Sequence, residues 1–354
     1  MKNKLLLTSA LVSGLIVGSD FATAQTTVTG DLALHYRAQS FDTNVSSKRG
    51  IGRESQVNFA NKGKLANGMN YAAGFSLEFD GNARTHTSGT QTMAGTEANS
   101  ISNEGVFIDV ELAPGSTVSL GVDRMVGITR EVPQVMGLLD NVAAGLGSHA
   151  TNGAGANPRE SIGLGFIQAI PGAGLTASIN YVPQSGDFGS TDASVNTGAG
   201  RNSAYEYGFF GADSFGVKGL GLSYFANKEK KDATANAADL EGKAATISYS
   251  TAVYTVGYQQ HKQNRTTSTG TAGTDMKAQQ VSATFAATKQ VTLGLSHMKN
   301  EKSGTAVEEK ITSLQVGYNL GPVALILSGS KADDVANTSG NDAKELAVRL
   351  TTKF

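Results

Sequence analysis

Leu346-Ala347-Val348-Arg349-Leu350-Thr351-Thr352-Lys353-Phe354, the last stretch of the chain, shows the pattern that decides its fold. Every even position except Thr352 is apolar, and every odd position from Arg349 onward is polar. A period of two residues indicates a β-strand with one face toward an apolar medium and the other toward water. Segments of about ten residues with this pattern recur along the chain, and a tilted strand of that length crosses a bilayer.

Residues 1–24 are typical of a secretory signal peptide. Two lysines near the start precede the uncharged stretch 5–18, and the small-residue sequence Ala-Thr-Ala at 22–24 suits signal peptidase. The alternative is a membrane anchor, but the apolar run is too short for a spanning helix, and Asp20 interrupts it. We therefore expect cleavage after residue 24 and a single mature domain at 25–354.

The composition excludes several classes of protein. No later stretch of about 18 apolar residues exists, so a transmembrane helix is not expected. The absence of cysteine excludes a disulfide framework, a thiolate metal site and a cysteine nucleophile. A formal net charge of −1 gives no reason to expect nucleic acid as a partner. The five histidines lack metal-ligand spacing, and neither a phosphate-binding loop nor a nucleophile elbow occurs. The sequence therefore predicts no enzyme activity and no cofactor.

The alternating pattern predicts about sixteen strands, an even number, as in bacterial outer-membrane barrels. In the third strand, for example, Phe75 and Leu77 share the apolar face, and Ser76 and Glu78 share the polar face. The second strand is expected to be short, around Val57 and Phe59. The predicted strands are centred near Leu34, Phe59, Phe75, Ile108, Leu120, Leu164, Ile179, Tyr207, Leu222, Ile247, Val256, Ala283, Leu293, Val316, Leu325 and Leu350.

The connections between these strands alternate between short and long. Short turns are expected at 114–116, 171–174, 250–252 and 321–322, and the glycine and proline in three of them suit tight turns. Long polar loops are expected at 40–53, 81–102, 184–202, 228–241, 263–275, 300–309 and 331–343. This alternation predicts an all-β fold, a transmembrane antiparallel β-barrel with periplasmic turns and extracellular loops.

A soluble β-sandwich is the alternative, because its strands alternate in the same way. Two features favour the membrane barrel. Tyrosines such as Tyr36, Tyr181 and Tyr249 lie near strand ends, where a membrane interface suits their amphipathic rings. Charged residues also lie in mid-strand on the polar face, where a water-filled lumen would solvate them.

The longest connection, 124–159, differs from the other loops. Within it, residues 131–142 place apolar side chains at helical spacing, and Pro133 suits a first helical turn. An exposed loop tip gains little from an apolar helical face, whereas a segment folded into the barrel could pack that face on the wall. A surface helix against neighbouring loops is the alternative.

The chain resembles the general porins of Gram-negative bacteria over essentially its whole mature length. The resemblance rests on the signal peptide, the sixteen-strand pattern, the long third loop and the terminal Phe354. It implies a homotrimer in contact with outer-membrane lipid and lipopolysaccharide, through which ions and small hydrophilic solutes pass. It also implies that the third loop narrows the pore and that Phe354 belongs to the signal read by the outer-membrane insertion machinery. The chain departs from the family in lacking tryptophan, a Pro-Glu-Phe-Gly-Gly-type signature in the third loop and an evident arginine ladder on the early strands.

Charged residues that would line a narrow pore are the candidate functional residues. In a narrow, partly desolvated pore, a few charges set the ion preference. The alternation and the third-loop hypothesis together give six pore-lining candidates: Arg37, Glu78, Asp109, Asp123, Glu131 and Asp140.

The expected function is passive diffusion of ions and small hydrophilic solutes, because a barrel of sixteen strands leaves an aqueous lumen. A substrate-selective porin is a variant of this hypothesis. A surface or adhesion protein that uses its long loops is the alternative from a different class.

Overall fold

The computed structural model describes residues 25–42, 48–78, 102–121, 162–183, 203–229, 239–266 and 275–354. Within these ranges, sixteen strands pair antiparallel in chain order and the last pairs with the first, so that the sheet closes into a barrel. The strands are β1 (Gln25–Phe41), β2 (Lys48–Lys64), β3 (Asn70–Glu78), β4 (Ser102–Ala113), β5 (Ser116–Gly121), β6 (Gly163–Ile170), β7 (Leu175–Val182), β8 (Ala204–Gly211), β9 (Leu220–Glu229), β10 (Asp239–Ser250), β11 (Tyr254–Thr266), β12 (Met276–Ala286), β13 (Val291–Lys302), β14 (Glu309–Asn319), β15 (Val323–Asp333) and β16 (Ala343–Lys353).

The predicted all-β barrel is confirmed. The only helical pieces among the described residues are single 3₁₀ turns at Ser214–Gly216 and Val335–Asn337. In that part of the chain, no helix has the length and apolar character needed to cross a membrane. The predicted signal peptide at 1–24 and the predicted helix at 131–142 lie outside the described residues.

The two faces of the wall follow the predicted alternation. On β14, Leu314 is exposed on the outer face, while its neighbours Ser313 and Gln315 are buried on the inner face. On β3, Phe75 is exposed on the outer face and stacks on Phe59 of β2, and Ser76 is buried on the inner face. Large exposed apolar side chains therefore form a band around the outside, as expected of a surface that contacts lipid.

The prediction of a short second strand is wrong. β2 has 17 residues, and from Lys48 to Lys62 it pairs with β1. Its outer face carries Arg53 and Ser55 beside Leu34 and Leu32, so its apolar pattern is interrupted. Backbone pairing with β1, rather than amphipathicity, therefore determines the length of this strand.

Several strands also continue into segments that were predicted to be loops. The connection predicted at 40–53 narrows to 42–47, and β11 continues to Thr266. The four predicted short turns are confirmed, and they all lie at one end of the barrel, here called the turn end. The opposite end, which carries the longer connections, is called the loop end.

Closure of the barrel depends on the pairing between β1 and β16. Their register runs from Asp31 opposite Lys353 to Phe41 opposite Ala343. Beyond it, the backbone N–H of Gly30 donates to the carbonyl of Phe354 at 2.8 Å, and the N–H of Phe354 donates to the carbonyl of Gly30 at 3.0 Å. The Phe354 ring covers Gly30, where a Cβ would overlap it. Glycine therefore leaves space for an aromatic ring at the seam.

We predict that Gly30→Ala destabilises the barrel because the added methyl group displaces the Phe354 ring. In a Phe354→Ala background the same substitution should cost less, with a coupling of about 0.5–3 kcal/mol, the usual range for residues in contact. The free energy of unfolding in urea, measured from lipid vesicles, gives the four values of the cycle.

Gly329→Ala is the matched control, because Gly329 lies on β15 and a Cβ there would have no neighbour within 4 Å. Gly329→Ala should leave the free energy of unfolding unchanged in both backgrounds. An equal cost of Gly30→Ala with and without the Phe354 ring would contradict the seam contact.

A second prediction compares the two faces of β3. Phe75→Arg should destabilise the barrel by about 2–4 kcal/mol, because it places a cation on the lipid face. Ala72→Arg should cost little, because Ala72 is on the inner face between Lys62 and Asp109. Unfolding of the two variants from lipid vesicles tests this order, and the reverse order would mean that the faces of β3 are assigned the wrong way round.

Candidate functional site: the barrel lumen

The inner wall from β12 to β15 is polar and mostly uncharged. Most of its buried inward-facing side chains carry hydroxyl or amide groups: Gln280, Ser282, Thr284, Ser296, Asn300, Ser313, Gln315, Ser328 and Ser330. On the same strands the outward-facing residues nearer the turn end are mainly valine, leucine and phenylalanine. The side chains therefore suit a water-filled interior and a lipid-facing exterior.

Charged side chains are concentrated where β16, β1 and β2 meet. Their inner faces carry Glu345, Arg349 and Lys353 on β16, Asp31, His35 and Arg37 on β1, and Glu54 on β2. We call this part of the wall the charged sector. Because it lies on both sides of the β1–β16 seam, closure of the barrel assembles it.

Glu54 is the shared anion of the charged sector. Its Oε2 lies 3.7 Å from His35 Nε2 and 4.0 Å from Arg349 Nη2. The Glu54 side chain is 51% exposed, so water screens these contacts, and each contributes little to stability. Nearer the turn end, Lys353 Nζ lies 3.7 Å from Asp31 Oδ1. The sector therefore presents solvated charges to the lumen.

Arg37 occupies an uncrowded position in the charged sector. Its partners in register are Gly50 on β2 and Ala347 on β16, which are both small. At neighbouring Gly52, a Cβ would meet nothing within 4 Å. Within the described part of the chain, Arg37 forms no ion pair. The Arg37 side chain therefore lies on the inner wall between two small neighbours in register.

The structure describes three of the six predicted pore-lining residues. Arg37, Glu78 and Asp109 lie on the inner face of β1, β3 and β4, respectively, and are partly exposed. Asp123, Glu131 and Asp140 lie outside the described residues, so their place in the pore remains a prediction.

Sequence reasoning missed Arg349 as a neighbour of Arg37. Arg349 is opposite His35 in the register, which makes it a diagonal neighbour of Arg37 across the seam. The alternating pattern already placed Arg349 on the polar face of the last strand. The missing information was the register between the first and last strands, which a local pattern does not contain.

The connection between β15 and β16 was expected to be a polar outer loop, but part of it packs on the inner wall. Val335 is buried with Met298 and Ile311, both inward-facing residues near the loop end. Asp334, Ala336 and Asn337 adopt positive φ angles of 56°, 58° and 59°, which turn the chain back on itself. This segment, 334–342, therefore occupies part of the lumen near its loop end.

Glu309 and Asn337 hold the 334–342 segment in place. The buried Glu309 carboxylate accepts hydrogen bonds from the Ala336 backbone N–H at 3.1 Å and from Asn300 Nδ2 at 2.6 Å. Asn337 Nδ2 donates to the carbonyls of Asn300 and Val307 at 2.8 and 3.0 Å. These bonds satisfy polar groups that would be costly to bury alone.

The comparisons with known proteins agree with this architecture. The sequence matches the model of the Gram-negative porin family over residues 8–351. The fold is similar to that of an anion-selective porin from Comamonas acidovorans, with 14% sequence identity, a TM-score of 0.67 and coverage of 94% of this chain and 100% of that chain. It is also similar to OmpF of Salmonella typhi in complex with daunomycin, with 13% identity, a TM-score of 0.63 and coverage of 96% and 99%. The curated proteins compared by sequence gave no match.

The chain belongs to the Gram-negative porin family, because the family model covers nearly its whole length. It is a multi-pass β-barrel of the outer membrane that forms a channel for passive diffusion of ions and small hydrophilic solutes. The turn end of such a barrel is periplasmic and the loop end is extracellular. The expectation of a porin is therefore confirmed.

We predict that Arg37→Ala shifts the reversal potential of the channel toward cation preference, because it removes a partly exposed positive charge from the lumen wall. Glu54→Gln should shift it in the opposite direction. Single-channel recording in a salt gradient measures both shifts.

Lys289→Ala is the control, because it removes the same charge from an exposed turn at the periplasmic end. It should move the reversal potential much less than Arg37→Ala. Equal shifts in these two variants would mean that the charged sector does not control selectivity.

Proposed function

We propose that the channel is non-specific and non-catalytic, and that its ion preference is set by a few wall charges at a constriction. The charged sector carries this proposal, because it concentrates solvated charges on a wall that is otherwise mostly neutral from β12 to β15. In a narrow aqueous path with low-dielectric walls, such charges select ions while leaving small neutral solutes free to pass. Glu78 and Asp109 would contribute negative potential on the neighbouring wall.

The constriction itself is assigned to the third loop, which is the long connection 124–159 between β5 and β6. Residues 131–142 would fold into the barrel with their apolar stripe on the wall, and Asp123, Glu131 and Asp140 would face the remaining aperture. An apolar patch on the inner wall supports this arrangement. It comprises Ile167, Phe210, Phe225 and Ala244, with the Phe210 and Phe225 ring centroids 6.2 Å apart. An apolar patch inside a water-filled barrel is stabilised when an apolar segment covers it.

Deletion of residues 132–142 tests the constriction. The deletion should raise single-channel conductance, because it removes the segment that narrows the path. In the full-length chain, Asp140→Asn should shift the reversal potential toward anions. If neither change altered conductance or selectivity, the segment would lie outside the pore and the proposed constriction would be wrong.

The assembled state proposed here is a homotrimer. The fold is also similar to the trimer form of OmpT from Vibrio cholerae, with 10% identity, a TM-score of 0.62 and coverage of 94% of this chain and 99% of that chain. Lipid and lipopolysaccharide would surround the trimer, and Phe354 would be read by the insertion machinery during assembly. Deletion of Phe354 should then reduce the yield of folded barrel in cells much more than a change at the loop residue Thr338. Equal yields would remove this role from Phe354.

A further inference from the structure

A row of lysines runs along the outer face of the barrel, with one lysine on each strand from β9 to β16. Each lies on the same face as outward-facing apolar residues of its strand, as Lys243 does with Ile247. We call this row the lysine belt: Lys228, Lys243, Lys262, Lys277, Lys299, Lys310, Lys331 and Lys344.

The lysine belt lies at one depth. Each lysine is seven to nine residues from the periplasmic end of its strand. With a rise of about 3.4 Å per residue and a tilt of about 40°, this places the belt about 20 Å above the periplasmic end of the strands. Because the apolar band of such barrels is about 25 Å tall and lysine side chains extend toward water, the amines reach the outer headgroup region.

Neighbouring lysines of the belt face one another directly across the sheet. Lys262 on β11 is opposite both Lys243 on β10 and Lys277 on β12. The pairs Lys299–Lys310 and Lys331–Lys344 are likewise opposite. Like charges directly opposite one another on a sheet are destabilising. An anion between them would convert this repulsion into attraction.

In the part of the chain that the structure describes, carboxylates neutralise only part of the belt. Glu241 lies 2.6 Å from Lys228, Glu301 lies 3.2 Å from Lys277, and Asp333 lies 2.6 Å from Lys331. Glu308 lies 2.8 Å from Lys299, and that hydrogen bond holds the pKa of the Glu308 carboxyl below its usual value.

Three members of the belt have no carboxylate partner among the described residues. In the described ranges, Lys243, Lys262 and Lys344 are exposed and form no ion pair. Lys243 and Lys262 lie beside Lys277, so positive charge is in excess on β10–β12. The excess identifies these three neighbouring strands as the part of the belt best suited to an anion.

The geometry points to a binding site for the phosphate groups of a phosphorylated, multi-acyl lipid of the outer leaflet, centred on Lys243, Lys262 and Lys277. This inference rests on the contact with lipopolysaccharide proposed above and assigns it to particular residues. Neighbouring strands are about 4.8 Å apart, so the three lysines span about 10 Å and can contact more than one phosphate.

The residues around the three lysines suit the remaining parts of such a lipid. Toward the periplasm, Gln260 and Gln279 are level with one another and can hydrogen-bond to a sugar headgroup. Below them, Ile247 and Val281 are exposed and available to acyl chains. On the extracellular side, an open cleft is lined by Lys262, Lys277 and Lys302, by the carboxylates Asp275 and Glu301, and by residues of the β13–β14 connection. From the periplasmic side to the extracellular side, the outer face of these strands therefore changes from apolar to amide to cationic. This order matches the acyl chains, the sugar headgroup and the phosphates of the lipid.

The test uses the full mature protein, folded in detergent and titrated with purified bisphosphorylated lipid A under native mass spectrometry. The belt variant carries Lys243→Gln, Lys262→Gln and Lys277→Gln. Its affinity for the lipid should fall by roughly tenfold to a hundredfold at low salt, because each lysine near an anionic lipid surface contributes about a fivefold effect.

The matched control carries Lys64→Gln, Lys218→Gln and Lys289→Gln, which remove the same charge from exposed positions at the periplasmic end. Its affinity should equal that of the unmodified protein. The same lipid after dephosphorylation should bind all three proteins equally weakly. Unchanged affinity in the belt variant, or an equal loss in the control, would overturn the site.

A competition measurement and two further variants complete the test. If inorganic phosphate competed at concentrations similar to those of the lipid, the belt would be a free-anion site and the lipid assignment would be wrong. If the belt variant failed to fold, Lys262→Gln alone should still weaken binding, while the corresponding triple arginine variant should retain it. The single-channel conductance of the belt variant and of the control should equal that of the unmodified protein. Loss of the lipid site can therefore be distinguished from failure of the channel.

Discussion

The lipid bilayer offers no hydrogen-bonding partner to a backbone N–H or C=O, and this constraint determines the whole architecture. A sheet satisfies it only when no edge is left open, so the first strand must pair with the last. Here β1 and β16 pair from Asp31–Lys353 to Phe41–Ala343, and Gly30 and Phe354 complete the seam with two further backbone bonds. The placement of all other side chains depends on this closed wall.

Closure also creates the functional surface. A strand in a closed wall has one side toward lipid and one toward water, so the period of two sorts side chains into a lipid face and a lumen face. Residues far apart in sequence then become neighbours, as Arg349 and Glu54 do on either side of His35. The charged sector and the lysine belt arise in this way, one on the inner face and one on the outer face.

Local patterns in the sequence predicted the features that local interactions determine, namely the orientation of strands and the positions of short turns. The alternation of Phe75 and Ser76 gave the orientation of β3, and glycine and proline marked three of the four short turns. The length of β2 could not be predicted, because Arg53 and Ser55 interrupt its outer face and pairing with β1 carries it onward. The proximity of Arg37 and Arg349 depends on a non-local register. The inward fold of 334–342 depends on the buried Glu309, whose partners Asn300 and Ala336 lie on β13 and in the β15–β16 connection, respectively.

The most direct test of this account probes the two faces of β16 during conduction. The chain contains no cysteine, so single cysteines at 346–351 each provide a unique thiol. A charged, membrane-impermeant thiol reagent should change single-channel current when the cysteine is at 347, 349 or 351, and should leave the current unchanged at 346, 348 and 350. Equal reactivity at all six positions, or reaction only at the even ones, would contradict a closed barrel with this strand lining a water-filled lumen.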